Sequence, residues 1–236
     1  LNLQIVLLSC KDVTDIDDWI TIRQFLWFLA KRGKTVHDLS TFVPKASREK
    51  KVPSTYSIEE IQSMECSLDR TTLHGKRDYV VLLMAGRLAI RACDIAAMKR
   101  ENLDFTNESI SFMQKKTNNE ITLPMIPELK EATKDYLDSS ADIEDGFVFH
   151  TLLAPHRPLS SGQAANIINR CFKRAGIDTT GKKHGSHTLQ ASASTSMIND
   201  GIPYEAVRSI LGHTSPNSIT HYAKNDTEGL RRCAIP

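Results

Sequence analysis

His187-Thr188-Leu189-Gln190, Asn199-Asp200-Gly201, Ile210-Leu211-Gly212-His213-Thr214 and Ile219-Thr220-His221-Tyr222 are the stretches on which the reading of the fold turns. Helical periodicity runs over Thr188–Asn199, stops at Gly201, resumes over Tyr204–Leu211 behind Pro203, and returns over Asn217–Ala223 behind Pro216. His187 and His213 are 26 residues apart, and Tyr222 follows nine residues after His213. A helix start gathers unpaired N–H groups, so His187 there can reach an anion. Each residue also has a plainer reading: His187 and Gln190 as caps, His213 as a loop residue, Tyr222 as a core aromatic.

Upstream, helical patterns are expected at Ser161–Ala175, Glu128–Leu137, Asp78–Ala89 and Ala92–Lys99, and Ser57 with Glu60 opens another helix running to about Leu68. Between Lys99 and Glu128 the period changes to two. Leu103 and Phe105, then Ile110, Phe112 and Met113, then Ile121 and Leu123 read as three short antiparallel strands. The expected class is therefore α+β, mostly helical, with one small sheet.

Nearer the N-terminus, Lys45, Arg48, Lys50 and Lys51 stand against Glu49 between Pro44 and Pro53, the pattern of an extended basic linker. Such a run is either a solvated tether or an arm that tracks phosphates. Before it, Thr14 and Asp17 have capping-box spacing, Ile22, Phe25, Leu26 and Leu29 recur at helical spacing, and Gly33 suits a left-handed stop. Residues 1–9 read as the tail of another helix. Because Trp19, Trp27 and Phe28 are too apolar for two helices to bury, and because the chain opens at Leu1, it reads as an excised piece whose first helices are missing. The expected organisation is a partial helical domain over 1–43, a linker over 44–53 and a second domain over 54–236.

Composition narrows the class. Of 236 residues 40% are hydrophobic and 25% charged, with net charge +2, which fits a globular chain and does not by itself demand an acidic partner. Apolar runs such as Tyr79–Ala85 fall short of the roughly 20 residues a membrane helix needs. No signal peptide opens the chain, and its five scattered cysteines suit a reducing compartment.

Two further segments carry charge chemistry. Arg91 at the mouth of a helix, with Asp94 one turn on, can be oriented by that acid while facing an anion. Lys115 and Lys116, with Thr117, occupy a hairpin tip, where a lysine can swing over a ligand or simply keep the turn soluble.

In this order and at these separations, Arg91-x-x-Asp94, Lys116-Thr117, His187-x-x-Gln190, Leu211-Gly212-His213-Thr214 and Tyr222 resemble the tyrosine recombinase (phage integrase) family over about Ser54 to Lys224. Leu1–Thr41 resembles the end of that family's core-binding domain. The resemblance implies that Tyr222 attacks a DNA phosphodiester, leaving a 3′-phosphotyrosyl link and a free 5′-hydroxyl. It implies further that Arg91 clamps the scissile phosphate, that Lys116 protonates the leaving oxygen, that His187 and His213 donate hydrogen bonds or assist proton transfer, and that Asp94 buttresses the site. Lys45, Arg48, Lys50, Lys51, Lys115 and Thr117 would touch DNA. No cofactor or metal is expected. Partners would be double-stranded DNA and three further copies in a homotetramer on paired recombination sites, with a monomer when DNA is absent, no membrane, and a bacterial cytoplasmic location. The tail Asp226–Pro236 would either pack on a neighbouring subunit or fray.

One position departs from the family pattern. Gln190 stands where the family has its second arginine, and Ala191 follows where histidine is common. Glutamine keeps donors but loses the charge and the two-pronged grip. A substitution made to trap a complex, an inactive natural relative, and compensation by Lys183 or His184 remain open. So does a DNA-binding module without catalysis. A zinc hydrolase built on His184, His187, His213 and His221 is disfavoured because no recognised ligand spacing occurs.

Overall fold

A computed structural model describes residues 16–43, 54–140 and 145–212. The chain divides into two compact units, with the boundary between residues 51 and 52. In the first, α1 (Ile16–Lys31) is followed by a 3₁₀ turn at Leu39–Phe42, started by the Asp38 carboxylate, which accepts from the Ser40 amide at 2.9 Å. Gly33 is left-handed with φ +64°, as its place after the helix requires. Leu26 is buried while Phe25, Trp27 and Phe28 are exposed, with Lys31 over the Trp27 ring and Arg32 over that of Phe28. Thr14 and the helical segment expected over 1–9 lie outside the described residues.

The second unit begins with α2 (Ile58–Cys66), whose capping box is reciprocal: the Glu60 amide donates to Ser57 Oγ and the Ser57 amide to Glu60 Oε2. Next comes α3 (Leu73–Gly86), which starts five residues before the expected Asp78 and ends three before Ala89. Its polar first turn hid the start. Thr72 caps it through the Gly75 amide, and Gly75 is obligatory there because a Cβ would lie 1.7 Å from the Asp69 carbonyl oxygen. Val80 to Ala85 have no solvent exposure, so α3 is the central helix of the unit. It packs against α5 (Pro127–Ser139), α6 (Ser161–Arg174) and α7 (Ser186–Asn199).

α4 is one short turn, Ala92–Ala96, rather than a helix to Lys99. The following backbone is claimed elsewhere: Lys99 bridges Phe147, and the Val148 amide donates to the Met98 carbonyl at 2.9 Å. The sheet is the expected antiparallel meander, β1 (Leu103–Asp104), β2 (Ser109–Met113) and β3 (Glu120–Pro124), in the order β1-β2-β3. Ile110 faces Leu123 and Phe112 faces Ile121 on the buried side, while Ser111 and Thr122 share a hydroxyl hydrogen bond on the other. Phe105 falls outside β1, because the Asp104 carboxylate turns the chain by accepting from the amides of Thr106 and Asn107. Finally, α8 (Tyr204–Leu211) packs on α7 and ends at left-handed Gly212. The helix expected over Asn217–Ala223 and the tail after it lie outside the described residues, and no described helix is long and apolar enough to cross a membrane.

Candidate active site

Three loops and helix ends of the second unit meet at the Leu211 carbonyl. The first is the turn from α3 into α4. Ala89 there has φ +56°, a left-handed conformation that costs a residue with a Cβ about 1–2 kcal/mol. The turn is held by its neighbours: the Ile90 amide donates to the Met84 carbonyl, and Ala89 packs with Ala193, Val207 and Leu211 in a small apolar cluster. Arg91 follows in extended conformation as the residue preceding α4, only 8% exposed. Its Nη2 donates to the Leu211 carbonyl at 2.9 Å, and its Nη1 is buried with no hydrogen-bond partner among the described residues. A buried cationic N–H left unpaired is expensive unless something anionic completes it.

The sequence reading has Asp94 orienting Arg91; among the described residues no hydrogen bond or ion pair joins the two, and Asp94 bonds elsewhere. Its Oδ1 accepts from the Lys115 amide at 2.8 Å and from Cys93 Sγ at 3.7 Å, while Oδ2 is buried without a partner among the described residues. Burial, and next the Asp94 charge, push the Cys93 thiol above its ordinary pKa, so it behaves as a neutral thiol here. Asp94 therefore braces the second component, the β2–β3 hairpin, whose tip exposes Lys115 and Lys116, with Thr117 half-buried.

The third component is α7 with α8. His187 is exposed in the first turn of α7. Gln190, one turn later, is buried, and its Nε2 donates to the Ala89 carbonyl at 3.2 Å. One hydrogen of the amide nitrogen thus goes to the backbone of the turn that delivers Arg91. His213, Tyr222 and the basic residues Lys45, Arg48, Lys50 and Lys51 lie outside the described residues. Among the described residues no group of three histidine, cysteine, aspartate or glutamate side chains is placed to hold a metal.

Sequence reasoning passed over Gln114. It is buried at the end of β2, with Nε2 donating to the Leu211 carbonyl at 3.3 Å and Oε1 accepting from Thr117 Oγ1 at 2.5 Å. The signal was available: Ile110, Phe112 and Gln114 share one parity, so strand alternation turns Gln114 inward.

The family model described as "Phage integrase family" matches residues 58–228, which include the arginine turn, the hairpin and both site helices. The chain belongs to the phage integrase family. Among its relatives, a protein named as a candidate integrase/recombinase, y4rA of Sinorhizobium fredii (strain NBRC 101917 / NGR234), is 28% identical over 219 residues, 91% of this chain but 53% of the relative. The chain thus spans about half of that relative's length. The tyrosine recombinase XerC of Staphylococcus carnosus (strain TM300) is 24% identical over 216 residues, 90% of this chain and 71% of the relative. In fold, the chain is similar to a lambda integrase solved as a dimer bound to a COC′ core site, with TM-score 0.67 and 18% identity, covering 93% of this chain and 63% of that one.

Proposed function

We propose that this chain is the strand-cutting part of a site-specific DNA recombinase. Tyr222 attacks a scissile phosphodiester. An O–P bond to the phenol forms as its proton passes to His187 or His213, the P–O5′ bond breaks, and the leaving 5′-oxygen takes a proton from Lys116. The observation that best supports this is Arg91, whose buried Nη1 has no partner among the described residues and whose Nη2 shares the Leu211 carbonyl with Gln114, at the base of the hairpin bearing Lys116. A phosphodiester in transfer concentrates charge on its non-bridging oxygens, and a guanidinium fixed in advance by the Leu211 carbonyl stabilises that charge without reorganising. His187 and His213 complete the donor set, and Asp94 acts through the hairpin. The bond energy is kept in the phosphotyrosine, so the chemistry calls for neither nucleotide nor metal.

Double-stranded DNA is the partner, reached also through Lys45, Arg48, Lys50, Lys51, Lys115 and Thr117, with 44–53 linking a partial core-binding domain to the catalytic one. Four copies act on paired sites in a bacterial cytoplasm, in the service of a mobile element that integrates or transposes. Gln190 lowers the cleavage rate, because its neutral amide serves Ala89. That engagement also favours a second reading, an inactive DNA-binding relative acting as a regulator or structural subunit.

Covalent protein–DNA adduct on a nicked suicide substrate separates the two. In the recombinase reading adduct forms, Tyr222→Phe abolishes it, and Gln190→Arg raises its rate by about 10²–10³-fold, the usual value of one such donor. No gain from Gln190→Arg sinks the impairment. Retention of biological activity by Tyr222→Phe establishes the non-catalytic reading instead.

A further inference from the structure

Gln114 uses every polar atom it has. Besides the side-chain bonds to Leu211 and Thr117, its amide donates to the Asn119 carbonyl and its carbonyl accepts from the Asn118 amide, both at 2.9 Å, closing the hairpin loop. Gly212 makes the approach possible, since a Cβ there would lie 1.9 Å from Gln114 Oε1. The Leu211 carbonyl is shared with Arg91 Nη2, and the residue after Gln114 is the one whose amide binds Asp94. One buried carboxamide therefore joins the lysine hairpin, the arginine turn and the C-terminal end of α8. An exposed hairpin kept only for solubility needs no such anchorage.

We infer that Gln114 is a positioning residue: it locks the hairpin to the end of α8 so that Lys116 and Arg91 address the same phosphate. This rests on the reading of Lys116 as the proton donor. A donor must come within hydrogen-bond reach of the leaving oxygen. Lys116 is two residues from the anchor on an exposed turn, so freeing that anchor lets its ammonium drift while Arg91 keeps its own bond to Leu211.

The test compares Gln114→Met, which keeps the side-chain length and loses both side-chain hydrogen bonds, with Lys116→Ala in the full chain. Each is assayed for adduct formation on a suicide DNA whose 5′-bridging atom at the scissile phosphate is oxygen or sulfur. A thiolate leaves without being protonated, so sulfur removes the need for the donor. Gln114→Met is expected to slow the oxygen substrate by about 10²-fold, the cost of a 1 Å misplacement, and to recover on sulfur as Lys116→Ala does. Recovery of Lys116→Ala with an equal loss for Gln114→Met on both substrates overturns the inference. Failure of Lys116→Ala to recover overturns instead the role of Lys116. Independently of turnover, hydrogen exchange at the Lys115, Asn118 and Gly212 amides is expected to quicken together in Gln114→Met while α6 is unchanged. Exchange at those amides that matches the unaltered chain ends the proposal even where the chain is silent in cleavage.

Discussion

At the level of single residues, the site is built from backbone conformations that few side chains permit. Ala89 accepts φ +56° because Gln190 ties its carbonyl and the α7–α8 cluster covers its methyl group. Gly212, at φ +60°, both ends α8 and admits Gln114. Gly212→Ala is expected to destabilise the chain by about 1–2 kcal/mol from the backbone alone, with a further loss from the collision with Gln114. Urea unfolding measures the sum. In a Gln114→Ala background the same substitution should cost less, because the colliding carboxamide is gone. Equal losses in both backgrounds would show that the two positions do not touch. Neither demand was visible in composition or periodicity. Gly212 follows a helical stretch, and nothing local distinguishes Ala89 from any other alanine.

The elements were more legible. The cap read at Ser57 forms, and the structure adds one at Ser160 that the sequence reading did not name: the Gln163 amide donates to Ser160 Oγ, and the Ser160 amide donates to Gln163 Oε1. Ser160→Ala should lower stability by about 1 kcal/mol by freeing first-turn amides of α6, read as a fall in thermal midpoint. An unchanged midpoint would mean solvent satisfies those amides equally well. The sheet, too, followed from alternation, since a strand with one buried face must alternate. Errors fell where another acceptor or donor, distant or local, claims the backbone. Helix α4 stops because the 145–150 segment takes the Met98 carbonyl, and β1 stops because Asp104 makes its own turn.

Across the second unit, charge as well as apolar packing joins the helices. Asp78 is buried in α3, accepting from Arg77 Nη2 at 2.7 Å and from Arg170 Nη2 of α6 at 3.4 Å, while Arg77 Nη1 donates to the His150 carbonyl at 3.0 Å. Removing one member of a buried pair strands the other. Asp78→Asn is therefore expected to cost about 3–5 kcal/mol in chemical denaturation. A loss below 1 kcal/mol would mean that solvent reaches Arg77 and relieves it. Cys171 of α6 is buried close by, and that burial, with the Asp78 charge second, pushes its thiol up to about 12.

The order of residues along the chain, by itself, determined the capped start of α2, the meander, and the family, because capping, alternation and spacing are properties of neighbours in sequence. Arg91, Lys116, His187 and Gln190 were all nameable from that order. Which partners the buried side chains take was decided only by the tertiary structure. Asp94 serves the hairpin instead of Arg91, Gln190 serves a strained alanine, and Gln114 joins three segments at one carbonyl. Such choices depend on which donors and acceptors are left unpaid when distant segments pack, and a buried polar atom takes the partner that packing brings within 3 Å or so, whatever its neighbours in sequence.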